Sequence, residues 1–159
     1  MDNRLLDPFL KSTKDMLLQM ASVSLKEHDD FKEQATDIKS YGVTTLVTFV
    51  GKVKGRLLID MEVNVASKIV KEVLGETLQD PKDSTYMGMV SELNNIIGGD
   101  AITYLNNEMA LGLRLASPAV FTGKDVIISI PKIQSSTVEC MTEQGKLRIN
   151  VAFERGGEA

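Results

Sequence analysis

The sequence predicts an α+β fold in which a mostly antiparallel sheet is packed by long helices, an expectation that rests on patterning alone. Apolar residues recur at helical spacing near the start of the chain and again in two segments between residues 64 and 109. Runs rich in β-branched residues and bounded by glycine lie between and after them. These elements come in blocks, helix, hairpin, helix, helix and then a β meander, whereas a doubly wound parallel sheet needs strands and helices to alternate. No heptad run, low-complexity tract, Pro-rich linker or change of composition divides the chain, so residues 1–159 are expected to form a single domain long enough to bury a core.

The first helix is expected from Leu5 to Val23, with Phe9, Leu10, Thr13, Met16, Leu17 and Met20 along one face. Asp7 would cap it, and Pro8 would take the first helical position, where its missing N–H costs nothing. The polar stretch SLKEHDDFKEQATD follows, and its acidic run places His28, the only histidine, on a solvated loop. Val43–Val50, VTTLVTFV, sits between Gly42 and Gly51 and reads as a strand. KVKGRLLIDME continues as a second strand, the interval from Gly51 to Gly55 making the pair a hairpin. Asn64 is expected to cap a second helix, with Val65, Ile69, Val70, Val73 and Leu74 inward, Lys68, Lys71 and Glu72 solvated, and Gly75 as its stop. A third helix runs from about Thr85 to Met109. LGLRLASPAVFTG reads as an irregular strand region, and KDVIISIP, KIQSSTVECM and KLRINVAFE as three strands, with the turn TEQGK pairing the last two antiparallel.

Composition narrows the function. Hydrophobic residues at 43% and charged residues at 25% are ordinary for a globular protein. A net charge of -4, without a run of Lys and Arg, argues against capture of nucleic acid or anionic membrane. No Trp is present to offer a stacking platform for single strands. A lone cysteine, Cys140, allows neither an intramolecular disulfide nor a multi-cysteine metal site, and in a strand it reads as a packed small hydrophobe. No apolar run approaches the roughly 18–20 residues of a membrane span, and no apolar core follows the acidic Asp2 and Asp7, so a cytoplasmic protein is expected. A Gly-rich phosphate loop and a Ser, His and acid arrangement are both missing, which disfavours a small-molecule enzyme.

The third helix is unusual for a purely structural element. On a helical wheel Tyr86, Val90, Leu93, Ile97, Ala101 and Tyr104 form the core side of the segment containing MVSELNNIIGGDA. Gly88, Glu92, Asn95, Gly99, Thr103 and Asn106 lie opposite, with Glu92 the only ionised member, where a solvated face would carry several long charged side chains. Gly88 and Gly99 bracket Glu92 and Asn95, with Ser91 beside them, and this suits a surface on which another macromolecule lays its backbone. Gly98 falls off that stripe and marks either close packing of a neighbouring element or a kink. The wheel alone leaves open whether the stripe is functional or accidental. Glu and Asn at this spacing are a weak signal, since 11 Glu and 7 Asn produce it by chance in about every second such sequence. Their chemistry is narrower: an amide is neither acid nor base but holds and orients a water, and a carboxylate one turn away can pair with a partner's Lys. Neither makes a site alone, so the rest is expected from a partner.

SELNNIIGGDAITYL resembles the signature helix of the CheC, CheX and FliY phosphatase family, with its E-x-x-N motif followed by small residues. LASPAVFTGKDV is similar to the Pro and Gly pattern that follows this helix in CheX-type members, and the order of the remaining elements fits as well. CheC-type chains carry two such motifs, whereas only Glu92 to Asn95 fits here, the first helix offering FLKSTKDML instead; one motif points to CheX. The resemblance implies hydrolysis of the phospho-aspartate of a CheY-type response regulator in bacterial chemotaxis. It implies that Asn95 orients the hydrolytic water, that Glu92 pairs with the regulator's active-site Lys, and that Gly88, Ser91 and Gly99 border the docked partner. It further implies that Mg²⁺ belongs to the regulator, that this chain binds no metal or other cofactor, and that two copies pair through their sheets as a homodimer. The longer form of the motif has Asp or Ser four residues before the Glu, where this chain has Gly88. A non-catalytic interaction module, of the kind the fold provides in flagellar switch components such as FliM, is the alternative.

Overall fold

The computed structural model of the chain describes residues 2–129 and 134–154. Helix α1 spans Asn3–Ala21 and buries Phe9, Thr13 and Leu17 of the predicted face, with Leu10, Met16 and Met20 half-buried, and buries Leu6 besides. Its cap is Asp2 rather than Asp7: the Asp2 carboxylate accepts from the Arg4 N–H at 2.9 Å. Pro8 therefore lies inside the helix and not at its first position. The lost N–H bond is offset by burial of the Phe9 face, where the Phe9 ring stacks on Phe49 with centroids 5.6 Å apart and meets Phe153 edge-on at 6.2 Å.

The polar stretch after α1 is more ordered than its composition predicts. It contributes β1 (Lys26–Glu27), β2 (Lys32–Glu33) and β3 (Ile38–Lys39). Such two-residue strands are held by backbone pairing and carry no side-chain alternation to betray them. The predicted hairpin follows as β4 (Gly42–Val50) and β5 (Lys54–Glu62), in register from Gly42 opposite Glu62 to Val50 opposite Lys54. Helix α2 (Val63–Leu74) begins directly off β5, with Glu62 in the cap position and Asn64 already within the helix, contrary to the expected cap. Gly75 ends it with φ +73°, a left-handed conformation that glycine adopts without penalty. Helix α3 (Ser84–Met109) is capped by Asp83, whose carboxylate accepts from the Thr85 and Tyr86 N–H groups. The chain closes with β6 (Arg114–Leu115), β7 (Ala119–Thr122), β8 (Ile127–Ile128), β9 (Gln134–Thr142) and β10 (Gly145–Glu154). The ends of the expected strands KDVIISIP and KIQSSTVECM that fall at residues 130–133 lie outside the described residues.

Among the described residues the main sheet runs β1-β9-β10-β5-β4-β6, with β2 also on β9 and β7 also on β4, while β3 and β8 form a small second sheet. All of these pairings are antiparallel, and β9 and β10 join through the predicted turn. The architecture is thus the α+β arrangement expected from the order of elements. Alternate residues of the central strands, including Val47, Leu57, Ile59, Leu147 and Ile149, share one buried cluster with Phe9, Val65, Ile69, Val90 and Ile97 from the three helices. Helix α3 packs across α1, α2 and the start of the sheet within this cluster.

Candidate functional site

The inward side of α3 is fixed at successive turns. At its start the Tyr86 hydroxyl lies 2.8 Å from Ser67 Oγ on α2 and donates to the Val63 carbonyl at 3.3 Å. Two turns on, Asn94 Nδ2 donates to Thr45 Oγ1 on β4 at 2.7 Å. Gly98 then brings the helix so close to the sheet that a Cβ there would stand 3.2 Å from Val47 Cγ1 and 3.3 Å from Leu115 Cδ2. Close packing, and not a kink, is what this glycine allows: α3 continues unbroken to Met109. Near the end, Asn106, which the wheel puts on the outward stripe, is instead used within the fold: it clamps the following segment by donating to the Leu113 carbonyl at 3.0 Å and accepting from the Leu113 N–H at 2.7 Å.

Val90, Leu93, Ile97 and Ala101 are buried as expected, but Tyr104 is 54% exposed. At that turn Ile102 and Leu105 hold the buried positions instead. Tyr104 lines a hollow of about 820 Å³ between α1 and α3, together with Lys11 and Asp100. Neither Glu92 nor Asn95 borders that hollow.

The outward stripe has the opposite character. Gly88 and Glu92 are exposed, and Ser91, Asn95 and Gly99 are half-buried. A Cβ at Gly88 would meet nothing within 4 Å, and one at Gly99 would make only an ordinary 3.7 Å contact with Leu115. Neither position needs glycine for packing or for backbone conformation. No hydrogen bond or ion pair engages the side chains of Ser91, Glu92 or Asn95 among the described residues. The arrangement offers a free carboxylate and a free amide, three residues apart on one helix, flanked by bare backbone. Such a pair can grip a cation through its carboxylate and orient a water through its amide, which is itself neither acid nor base.

Other polar groups raised by the sequence have internal employment. Glu62 accepts from the Lys146 N–H at 2.8 Å, and Asp100 accepts from Ser12 Oγ at 2.7 Å. His28 is exposed. Cys140 is buried, which pushes its thiol up to about 12, the range of an inert packed side chain. The densest polar cluster centres on Asp60, whose fully buried carboxylate accepts from Thr44 Oγ1 at 2.8 Å, from the Tyr41 N–H and from Arg148 Nε at 2.8 Å. Arg148 also stacks on Tyr41, 3.8 Å from the ring centroid, so this cluster is saturated from within. Among the described residues no group of three or more His, Cys, Asp or Glu side chains is placed to hold a metal ion, and no helix is long and apolar enough to cross a membrane.

What the sequence reasoning passed over is Asn94 and its bond to Thr45. The signal was present, since Asn94 is a polar residue lying between Leu93 and Ile97 on the core side of the wheel.

Comparison with known proteins places this geometry in context. The family model described as chemotaxis phosphatase CheX matches residues 43–141, the stretch from β4 through most of β9 that contains Glu92 and Asn95. A CheC-like superfamily protein from Shewanella sp. PV-4 superposes with a TM-score of 0.87 at 27% identity, over 97% of this chain and 99% of that one. The chemotaxis protein CheX from Vibrio vulnificus gives 0.85 at 25% identity, over 95% of this chain and 99% of its own. A CheX-CheY-BeF3-Mg²⁺ complex from Borrelia burgdorferi gives 0.74 at 23% identity, covering 94% of this chain and 97% of that chain. No curated protein sequence matches significantly.

Proposed function

This chain belongs to the chemotaxis phosphatase CheX family, and from that premise we propose that it dephosphorylates the aspartyl phosphate of a CheY-type response regulator. The observation that carries the reading is the pair on α3: Glu92 and Asn95 stand outward without a partner among the described residues, inside the segment matched by the family model. The Borrelia burgdorferi complex of CheX with CheY, BeF3 and Mg²⁺ supports it, because beryllofluoride is a mimic of a phosphoryl group. In this reading the regulator supplies the phospho-aspartate, the Mg²⁺ that neutralises developing charge, and an active-site Lys. Glu92 pairs with that Lys and sets the register of docking. Asn95 enters the active site and holds a water in line with the phosphorus, its amide accepting from the water and donating to a neighbouring oxygen. Attack by the water oxygen breaks the bond between phosphorus and the aspartyl oxygen, releasing phosphate and the free carboxylate. Gly88 and Gly99, with Ser91 beside them, let the partner approach the helix backbone.

The same reading makes residues 1–159 one CheX-like unit acting in the cytoplasm, and pairs two copies through their sheets. Exposed apolar side chains on β7 of the main sheet and β8 of the small one, Phe121 and Ile127, support that pairing; the mass of the protein in solution across a range of concentrations tests it.

The deciding experiment follows the decay of a phosphorylated CheY-type regulator in Mg²⁺, alone, with the native protein and with Asn95→Ala. Acceleration by the native protein is expected, falling by on the order of 100-fold or more in the variant through loss of water positioning. Binding without any acceleration would replace the phosphatase reading with a non-catalytic interaction module.

A further inference from the structure

We infer that Asn94 is a positioning residue, whose hydrogen bond to Thr45 sets the roll of α3 on the sheet and thereby aims Asn95; the inference rests on the phosphatase reading. Asn94 is 1% exposed. Its Nδ2 donates to Thr45 Oγ1 at 2.7 Å, and that hydroxyl donates onward to the Ile59 carbonyl of β5 at 3.3 Å. Among the described residues this is the one side-chain hydrogen bond that joins α3 to the main sheet.

The other end of the amide has no partner. Asn94 Oδ1 is buried and unbonded, and the surrounding Leu17, Ile59, Met61, Val90, Ile97 and Leu147 leave no room for a water molecule. Turning the amide over merely exchanges which atom is orphaned. An orphaned buried acceptor costs more than a single neutral hydrogen bond returns, so the pair is a poor device for stability. An apolar side chain would fill the same space better. What it would lack is direction, since apolar contacts tolerate a small roll of the helix whereas a short hydrogen bond does not.

Roll matters at the next residue. Asn95 follows Asn94 by one 100° step, and a side chain reaches about 5–6 Å from the helix axis, so a roll of about 10° displaces its amide by about 1 Å. A displacement of that size at a reacting centre costs on the order of 100-fold in rate. Gly98, one turn on, sets how near the helix lies to Val47 and Leu115, and Asn94 sets which way it faces.

The test compares Asn94→Leu, Thr45→Val and Thr45→Ser with the native protein, measuring maximal turnover of the phosphorylated regulator, affinity for the beryllofluoride-activated regulator and stability in urea. Asn94→Leu and Thr45→Val are expected to lose at least tenfold in maximal turnover while affinity stays within about twofold; stability equals or exceeds the native value in Asn94→Leu and falls in Thr45→Val, which leaves both ends of the buried Asn94 amide unpaired. Thr45→Ser, which keeps the hydroxyl, retains native turnover. Native turnover in both the Leu and Val variants overturns the inference and leaves the phosphatase reading standing. So does a loss that Thr45→Ser shares, or one that in Asn94→Leu follows a loss of stability. A native protein without effect on regulator decay removes the phosphatase reading itself, and the inference with it.

Discussion

The two faces of α3 are built to different rules. Toward the sheet, Tyr86 and Asn94 are tied to Ser67 and Thr45, and Gly98 leaves no space for a methyl group without displacing Val47 and Leu115. Toward solvent, the side chains of Glu92 and Asn95 have no bonding partner among the described residues, and Gly88 faces open space. A polar group used internally contributes to the fold, whereas one left unused at the surface can be given to a partner without cost to the fold. The Asp60 cluster makes the same point from elsewhere in the molecule. It is richer in charge than the α3 stripe, yet all of its visible capacity is spent on Thr44, Tyr41 and Arg148.

Substitutions on the two faces should therefore separate stability from turnover. The largest expected effect on stability is from Ile97→Ala, which opens a cavity in the core and should cost about 2–5 kcal/mol in urea unfolding. Asn95→Ala, two residues earlier, should stay within about 0.5 kcal/mol of native. Equal costs for the two would erase the distinction between the faces.

A smaller effect sharpens it through the glycines. Gly88→Ala should stabilise by about 0.5–1 kcal/mol, because the helix gains propensity and the new methyl meets nothing. Gly98→Ala gains the same propensity but crowds Val47 and Leu115, and overpacking of this kind costs about 1–3 kcal/mol, so its sign should be the reverse. Thermal unfolding of the pair side by side reads the difference. If docking uses the bare backbone, Gly88→Ala should also weaken regulator binding while it strengthens the fold.

Local patterns account for what was legible in the sequence. The β4 and β5 hairpin carried β-branched residues between glycines, α3 carried a long apolar stripe, and the turn at Thr142–Lys146 announced the β9 and β10 pair. The outward stripe was legible for a related reason, since an uncharged polar face on a solvated helix departs from the usual pattern. Strands β1 and β2 were not, because they exist only by pairing with β9 from the far end of the chain. Caps went astray where two residues competed: the Asp7–Pro8 pair looks like a helix start, yet Asp2 takes that role and burial of Phe9 carries the helix through the proline. Asn94 and Thr45 lie 49 residues apart, and no local rule connects them. Tyr104 sits at the phase the wheel gives to the core, but at that turn Ile102 and Leu105 take the buried positions and Tyr104 faces the hollow between α1 and α3.

The most direct test of the account separates docking from chemistry on the outward face. Affinity for a beryllofluoride-activated CheY-type regulator and the decay rate of the phosphorylated form would be measured together for the native protein, Glu92→Ala and Asn95→Ala. The account predicts that Glu92→Ala loses affinity, and that Asn95→Ala binds within a few-fold of native, about one kcal/mol or less, yet no longer accelerates decay. An Asn95→Ala variant that still turns over the regulator at the native rate would contradict it.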